Sequence, residues 1–269
     1  ALAIDDSNAE ALTLKAFCYQ QSGELQKSCD YYLRLAEQQE NKTRAYLALA
    51  KTYFEMQDYT SSIYYIEALL DNKDALSKYE LSELYGDIAL CHAALKHIGV
   101  GQASIRRSLE LNENDPDTLI VAGRFFLMEA KACNDETAKA ENQAKGELYF
   151  RQALNLIMED ERLDYLFTIG AACFDTQNFK LAAQYYEQIN REFPDNAPAT
   201  YFFLAYCYFY LEEAISCMHY IAKMKHELPD AYSNLGTSDS ILSDTCFNEL
   251  MRNLKDSVNN GKVDLDNFL

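Results

Sequence analysis

The chain has 269 residues, of which 49% are hydrophobic and 13% aromatic, so it can bury a continuous core and is not globally disordered. Nine glycines and four prolines, with abundant alanine, leucine, glutamate and tyrosine, favour helix over sheet, and we expect an all-α protein. The formal net charge of −18 argues against a nucleic-acid-binding surface, which needs concentrated positive charge, and favours a basic or neutral partner.

The first eight residues, ALAIDDSN, match the end of a helix and the loop that follows it, as in the later segments SLELNEND and ALNLIMED. The chain therefore starts inside a structural unit, and it starts without a methionine. We expect a longer protein, in which further repeats, a signal peptide or a lipid anchor precede Ala1.

A repeated pair of amphipathic helices begins at Ala9. Large and small residues recur in the same phase, 34 residues apart, in two units that we place at residues 9–42 and 43–81. In the first unit they are Leu12, Ala16, Tyr19, Gly23, Leu25, Ser28, Tyr32 and Leu35, and in the second Tyr46, Leu49, Ala50, Tyr53, Tyr59, Ser62, Ile66 and Leu69. Two units in phase predict a tandem array of helical hairpins.

The third and fourth units, residues 82–115 and 116–162, keep this pattern but are interrupted by insertions. Five extra residues around 73–82 precede the third unit, where we expect a longer loop or an extended helix start. About eleven extra residues, KACNDETAKAE, separate the two helices of the fourth unit. This insertion is polar and rich in alanine, so we expect it to lengthen both helices or to form a surface loop.

The fifth unit, residues 163–197, has the most regular pattern. Leu163 to Pro194 predicts two helices of about fourteen residues joined by a polar turn, and Pro194 ends the second helix. The unit resembles a tetratricopeptide repeat, whose 34-residue period has large residues at positions 4, 7, 11, 17 and 24, small ones at 8, 20 and 27, and often proline at 32. The matching residues are Leu166, Ile169, Gly170, Cys173, Phe179, Ala182, Tyr186 and Pro194, with a larger residue than usual, Ile189, at position 27.

The sixth unit, residues 198–232, is predicted to have a turn about three residues shorter than standard. Residues 233–269 are predicted to be a capping helix and tail. Ser240 to Ser257 is predicted to be one amphipathic helix with its apolar residues on a single stripe. We expect this helix to cover the end of the array. The stripe consists of Ile241, Leu242, Phe247, Leu250, Met251 and Leu254. The tail is expected to be mobile unless Val263, Leu265 and Phe268 dock on the repeats.

The resemblance implies a right-handed superhelical solenoid of about six tetratricopeptide repeats with a C-terminal capping helix. In this family the first helix of each repeat lines a concave groove that binds a segment of another protein, so the resemblance implies a non-catalytic protein–protein interaction scaffold. The groove becomes aromatic toward its C-terminal end, and aromatic side chains are common binding hot spots. At the family's groove positions stand the predicted partner-binding residues Phe17, Lys51, Phe54, Arg124, Phe167, Phe174, Phe202, Phe203, Tyr206, Phe209 and Tyr210.

Several alternatives stay open. The C-terminal helix or tail could fold back and cover the aromatic wall, leaving nothing there for a partner. The chain could be the docking or regulatory domain of a longer enzyme or membrane-associated protein. It could also be a bacterial envelope-assembly factor, because REFPDNAPATYFFLAYCYF resembles linkers in periplasmic tetratricopeptide lipoproteins, although eight cysteines argue against that compartment.

Binding to the C-terminal carboxylate of a chaperone is not expected. Relatives that do so carry lysine, asparagine and arginine at clamp positions of successive first helices. In the first two units, positions 5 and 9 are Thr13 and Phe17, then Leu47 and Lys51. The clamp is therefore missing from this sequence.

No pattern for catalysis, a cofactor or a metal is present, and we expect none of the three. The four histidines are scattered, and the neighbours Cys91 and His92 would point about 100° apart on a helix. No cysteines form a CxxC pair, and no apolar run is long enough to span a membrane. Cys18, Cys91 and Cys207 stand near position 10 of their repeats, where we expect small buried residues. Reduced thiols predict a cytoplasmic location.

Overall fold

A computed structural model describes residues 8–71, 76–237 and 244–269. These residues form helices, turns and loops without a β-strand, so the predicted all-α, helical-repeat class is confirmed. The chain divides into two compact units, Ala1–Leu156 and Ile157–Leu269. The predicted helix end at residues 1–7, and the start of the capping helix up to residue 243, lie outside the described residues.

In the part of the first unit that the structure describes, eight α-helices form four antiparallel hairpins. They are α1 (Ala9–Gln21) with α2 (Leu25–Ala36), α3 (Lys42–Glu55) with α4 (Tyr59–Leu70), α5 (Lys78–Ala94) with α6 (Ile98–Leu111), and α7 (Pro116–Ala132) with α8 (Glu136–Leu154). Neighbouring hairpins also pack together, through contacts such as those of α2 with α3 and of α5 with α7.

The second unit begins with the hairpin of α9 (Arg162–Asp175) and α10 (Phe179–Glu192), each of fourteen residues as predicted. A 3-10 helix, Pro194–Thr200, leads into the hairpin of α11 (Tyr201–Tyr210) and α12 (Ala214–Glu227). The short α13 (Pro229–Asn234), then α14 (Thr245–Asn259) and a last 3-10 helix, Leu265–Phe268, complete the described residues.

Small residues lie where the two helices of a hairpin come closest. A Cβ atom on Gly123 would lie 2.4 Å from the ring of Phe150, and one on Gly170 would lie 2.8 Å from the ring of Tyr186. In the second hairpin the Ser62 hydroxyl donates a hydrogen bond across the interface to the Ala50 carbonyl at 2.9 Å. Position 8 of the repeat pattern therefore needs a small side chain because the facing helix leaves no room for a larger one.

Five of the hairpins turn through the same backbone motif. Counted from the first residue of each repeat, position 15 has a positive φ, and its residues are Gly23, Gln57, Lys96, Gln177 and Glu212. At Gln57, the N–H groups of Gln57 and Asp58 donate to the carbonyls of Phe54 and Tyr53, both at 2.9 Å. This is the Schellman arrangement, which satisfies the last carbonyls of the first helix and reverses the chain within three residues.

In the described residues both insertions lengthen helices, while residues 72–75 of the first insertion lie outside the described part of the chain. Ser77 and Glu80 form a capping box, with the Glu80 N–H donating to the Ser77 hydroxyl and the Ser77 N–H donating to the Glu80 carboxylate, so α5 starts early and has 17 residues. In the fourth hairpin α7 has 17 residues and α8 has 19, and only residues 133–135 separate them.

The sixth hairpin differs from the prediction of a shortened turn, which is wrong. Residues 211–213 separate α11 from α12, as residues 176–178 separate α9 from α10. The Glu213 N–H donates to the Tyr208 carbonyl at 3.0 Å, which is the same Schellman bond as in the other hairpins. Helix α11 itself is shorter than α9, with 10 residues against 14, because the 3-10 helix with Pro194 and Pro198 precedes it and α11 starts only at Tyr201.

The C-terminal tail docks on α12. Leu265 is fully buried, and the ring Nδ1 of His219 lies 2.7 Å from the Phe268 carbonyl oxygen. Lys225 lies 3.8 Å from the Asp266 carboxylate. The sequence predicted a mobile tail unless it docked on the repeats, and the tail docks at Leu265 and Phe268.

Cys91 and Cys207 are buried as predicted, but the prediction for Cys18 is wrong, because this residue is exposed. Cys91 shows what position 10 contacts: its Sγ lies 3.5 Å from the hydroxyl of Ser62, on the second helix of the preceding hairpin.

Candidate partner-binding surfaces

The first surface, here the α1–α7 face, consists of the predicted groove residues on α1, α3 and α7. Phe17 keeps 51% of its surface exposed and its neighbour Leu14 keeps 62%, although both are large apolar side chains. Lys51 is exposed and Phe54 is half-buried. The Arg124 guanidinium lies 5.7 Å from the centre of the Phe54 ring, a cation–π contact that joins α7 to α3.

Acidic groups on α5 belong to the same surface and were missed by the sequence reasoning. Burial raises the pKa of Asp87 to about 6, and the nearby Lys51 and Arg124 only partly oppose this effect. Burial also raises the pKa of Glu83, again against the influence of Lys51. The two basic side chains therefore do not fully compensate the carboxylates for their lost hydration.

The second surface, here the aromatic cluster, consists of Phe174, Phe179, Phe202, Phe203, Tyr206, Phe209, Tyr210 and Phe247. Phe174 on α9 lies 5.2 Å from Phe203 and 5.1 Å from Tyr206 on α11, measured between ring centres. Phe179 on α10 stacks on Tyr210 at 4.9 Å with an interplanar angle of 21°. Rings at such distances attract each other beyond simple burial, so the cluster holds α9, α10 and α11 together.

Helix α14 covers part of this cluster. Phe247 is almost fully buried, and its ring centre lies 5.1 Å from that of Tyr206 and 5.5 Å from that of Phe209. The hydroxyl of Tyr206 donates to Asp244 Oδ2 at 2.6 Å, and the hydroxyl of Tyr210 donates to the same oxygen. Folding back of the C-terminal helix over the aromatic wall, one of the alternatives left open by the sequence, is what the structure shows.

The eleven predicted partner-binding residues thus differ in exposure. Phe202 and Tyr206 are buried, with 5% and 8% of their surface exposed, and a partner can reach them only after displacing α14. Phe167, Phe174, Phe203 and Phe209 are half-buried, whereas Tyr210 keeps 41% exposed. The sequence reasoning identified the wall but missed Asp244. The signal for it was an aspartate three residues before Phe247, at the start of an apolar stripe.

In residues 8–71, 76–237 and 244–269, no group of three or more histidine, cysteine or acidic side chains could hold a metal ion. His92 and His97 approach to 3.4 Å between their Nδ1 atoms, beside a Schellman turn. None of the helices in this described part is long and apolar enough to cross a membrane.

Comparison with known families and proteins adds one match. Residues 43–75, which include α4 and nearly all of α3, match a family model described as a tetratricopeptide repeat. The search of curated proteins finds no match to the chain. Tetratricopeptide repeats generally mediate protein–protein interactions, and their all-helical fold is typically non-enzymatic.

Proposed function

We propose that this tetratricopeptide-repeat protein is a non-catalytic scaffold that binds a segment of another polypeptide along its first helices. Its six hairpins would be six repeats, at 9–42, 43–81, 82–115, 116–162, 163–197 and 198–232. The free thiols of all eight cysteines support a reducing, cytoplasmic compartment.

The exposure of Leu14 and Phe17 carries this proposal. Both residues stand at groove positions of α1, four and seven residues after Glu10, and both expose more than half of their apolar surface to water. Such exposure favours association with another apolar surface. Phe54 on α3 and Arg124 on α7 are in cation–π contact and support the proposal that the α1–α7 face receives an extended or helical segment.

The charges of the α1–α7 face indicate which segment it would bind. Asp87 is half-buried, and its burial disfavours the charged form because Lys51 and Arg124 compensate it only in part. The pKa of Glu83 is raised in the same direction, although this side chain is more exposed. A lysine or arginine from a partner would supply the missing positive charge. Together with the net charge of −18, this favours a partner segment that combines an aromatic or aliphatic residue with basic residues.

Selection from a random peptide display library tests the proposal. Peptides selected on the wild-type chain should be rich in basic and aromatic residues, and their dissociation constants should be measured by fluorescence polarisation. The double variant Leu14→Ser with Phe17→Ser should bind them at least about tenfold more weakly, because it loses two apolar contacts.

The matched control is Leu33→Ser with Tyr64→Ser. These two side chains are also exposed, at 39% and 64%, but lie on the second helices α2 and α4. This control should bind within about twofold of wild type. Equal loss in both double variants would contradict the proposal. So would an acidic bias among those selected peptides whose binding the Leu14→Ser, Phe17→Ser variant weakens.

A further inference from the structure

The start of α14 is bound to α11 by a discrete set of contacts. Phe247 inserts between Phe202, Tyr206 and Phe209, at ring-centre distances of 6.1, 5.1 and 5.5 Å. These three residues are spaced four and three apart, so they line one stripe of α11. Phe179 and Phe174 close the stripe from the side, through their contacts with Tyr206 and Tyr210.

Asp244 has two roles at the same place. Its Oδ1 accepts a hydrogen bond from the Phe247 N–H at 3.0 Å and so caps the N-terminus of α14. Its Oδ2 accepts hydrogen bonds from both tyrosine hydroxyls on α11. Partial burial alone would raise the pKa of Asp244, but these hydrogen bonds outweigh burial and lower its pKa. The tyrosine pair therefore favours an ionised carboxylate.

The spacing of the two anchors follows from helix geometry. An N-cap residue and the third residue of the helix lie on the same first turn, so one turn presents both the carboxylate and the phenyl ring to α11. The rest of α14 is held elsewhere, because Met251 packs on Gly236 and the Lys255 ammonium donates to the carbonyls of Ser233 and Leu235. The segment that contacts α11 through these anchors is thus Asp244-Thr245-Cys246-Phe247.

We propose that the aromatic cluster is a recognition site for a helix start of the pattern Asp-x-x-Phe, which α14 occupies within the chain. A partner protein with an amphipathic helix of this chemistry binds the same stripe by displacing the first turn of α14. Phe202 and Tyr206 provide the apolar contact for the phenylalanine, and the hydroxyls of Tyr206 and Tyr210 donate hydrogen bonds to the aspartate that caps the helix. This site lies in the second unit and does not depend on the α1–α7 face.

The test uses the full chain and a fluorescein-labelled peptide of residues 244–259, with Cys246→Ser to prevent oxidation. The variants Phe247→Ala and Asp244→Asn each weaken the intramolecular competitor, and asparagine keeps the helix cap. The peptide should bind both variants at least tenfold more tightly than wild type. On these two variant chains, peptides in which the aspartate is replaced by asparagine, or the phenylalanine by alanine, should bind at least tenfold more weakly than the unchanged 244–259 peptide.

A double-mutant cycle identifies the contact. In the Phe247→Ala chain, adding Tyr206→Phe and Tyr210→Phe should make the aspartate and asparagine peptides bind within twofold of each other. Circular dichroism establishes that each variant is folded, and if Phe247→Ala is not, Asp244→Asn carries the test alone.

Three results would overturn the proposal. The first is equal peptide affinity for wild type and the folded variants, and the second is an aspartate preference that survives removal of both hydroxyls. The third is a concentration-dependent dimer in light scattering that peptide does not dissociate, which would make a second copy of the chain the occupant.

Discussion

At the residue scale, each hairpin depends on a small residue at the closest approach of its two helices. Gly123 on α7 faces Phe150 on α8, and Gly146 on α8 would place a Cβ atom 2.9 Å from the Gly123 carbonyl oxygen. Phe150 is fully buried and cannot move away without disturbing its neighbours. A single methyl group at such a position should therefore disrupt the packing of the hairpin.

Gly123→Ala should destabilise the first unit by about 1–3 kcal/mol, because overpacking outweighs the better helix propensity of alanine. Gly99→Ala is the control, since Gly99 lies in α6 with nothing within 4 Å of a Cβ atom. This control should be neutral or stabilising by up to about 1 kcal/mol. Urea denaturation followed by circular dichroism measures both, and a neutral Gly123→Ala would show that Phe150 can relocate.

Small residues of this kind could be predicted from the sequence, because their role is set within one hairpin. Gly170 was placed correctly by the period alone, as its close approach to the Tyr186 ring shows. The error at Cys18 has a different origin, since position 10 packs on the preceding hairpin, as Cys91 does on Ser62. A residue whose burial depends on the neighbouring repeat cannot be judged from its own repeat.

At the element scale, five of the hairpin turns place a residue with left-handed backbone at position 15. Only the first turn uses glycine for it, whereas Gln57, Lys96, Gln177 and Glu212 adopt φ values near 60° despite their side chains. This conformation costs roughly 1 kcal/mol or more for a residue with a Cβ atom. The sequence did not reveal the motif because four of its five residues are not glycine.

Exchanging residues at position 15 should change stability in opposite directions. Gln57→Gly should stabilise the first unit by about 0.5–1 kcal/mol, because glycine adopts a positive φ without steric cost. Gly23→Ala should destabilise the same unit by about 1 kcal/mol, and no side-chain clash contributes, since a Cβ atom there has no neighbour within 4 Å. Chemical denaturation measures both, and equal signs for the two changes would contradict the backbone explanation.

The C-terminal helix also belongs to the element scale. Its apolar stripe predicted a cover for the last hairpin, and Phe247, Met251 and Leu254 are buried as such a stripe implies. The sequence left open whether the helix covers the aromatic wall, because that choice depends on Asp244 meeting two tyrosines 34 and 38 residues away. Contacts over such separations leave no periodic signal in a sequence.

At the scale of the whole molecule, negative charge dominates the chain. There are 42 acidic and 24 basic residues, and the described ion pairs of the first unit join neighbouring residues on exposed turns and helices. Such exposed pairs stabilise little. Net repulsion between carboxylates should therefore oppose folding at neutral pH, most strongly where burial has already raised a carboxyl pKa.

Lowering the pH from 7 to 5 should therefore relieve a local penalty in the first unit at Asp87. Its folded pKa of about 6 exceeds the ordinary value near 4, so the folded state binds the proton more tightly, and this contribution to stability grows as pH falls through 6. The raised pKa values of Glu83 and Glu129 act in the same direction. Burial lowers the pKa of His92, which acts in the opposite direction.

Comparison of Asp87→Asn with wild type separates the effect of the Asp87 carboxyl group on stability from the titration of the other groups. The variant should be more stable than wild type at pH 7 by about 1–2 kcal/mol, allowing for the partial exposure of the side chain, and the two proteins should converge toward pH 4. Asp30→Asn removes the same net charge from an exposed site on α2 and should change stability by less than about 0.5 kcal/mol. Urea denaturation at pH 7, 6 and 5 measures all three proteins. A less stable Asp87→Asn at pH 7 would mean that Lys51 and Arg124 more than compensate the buried charge, and the argument for a basic partner at the α1–α7 face would lose its support.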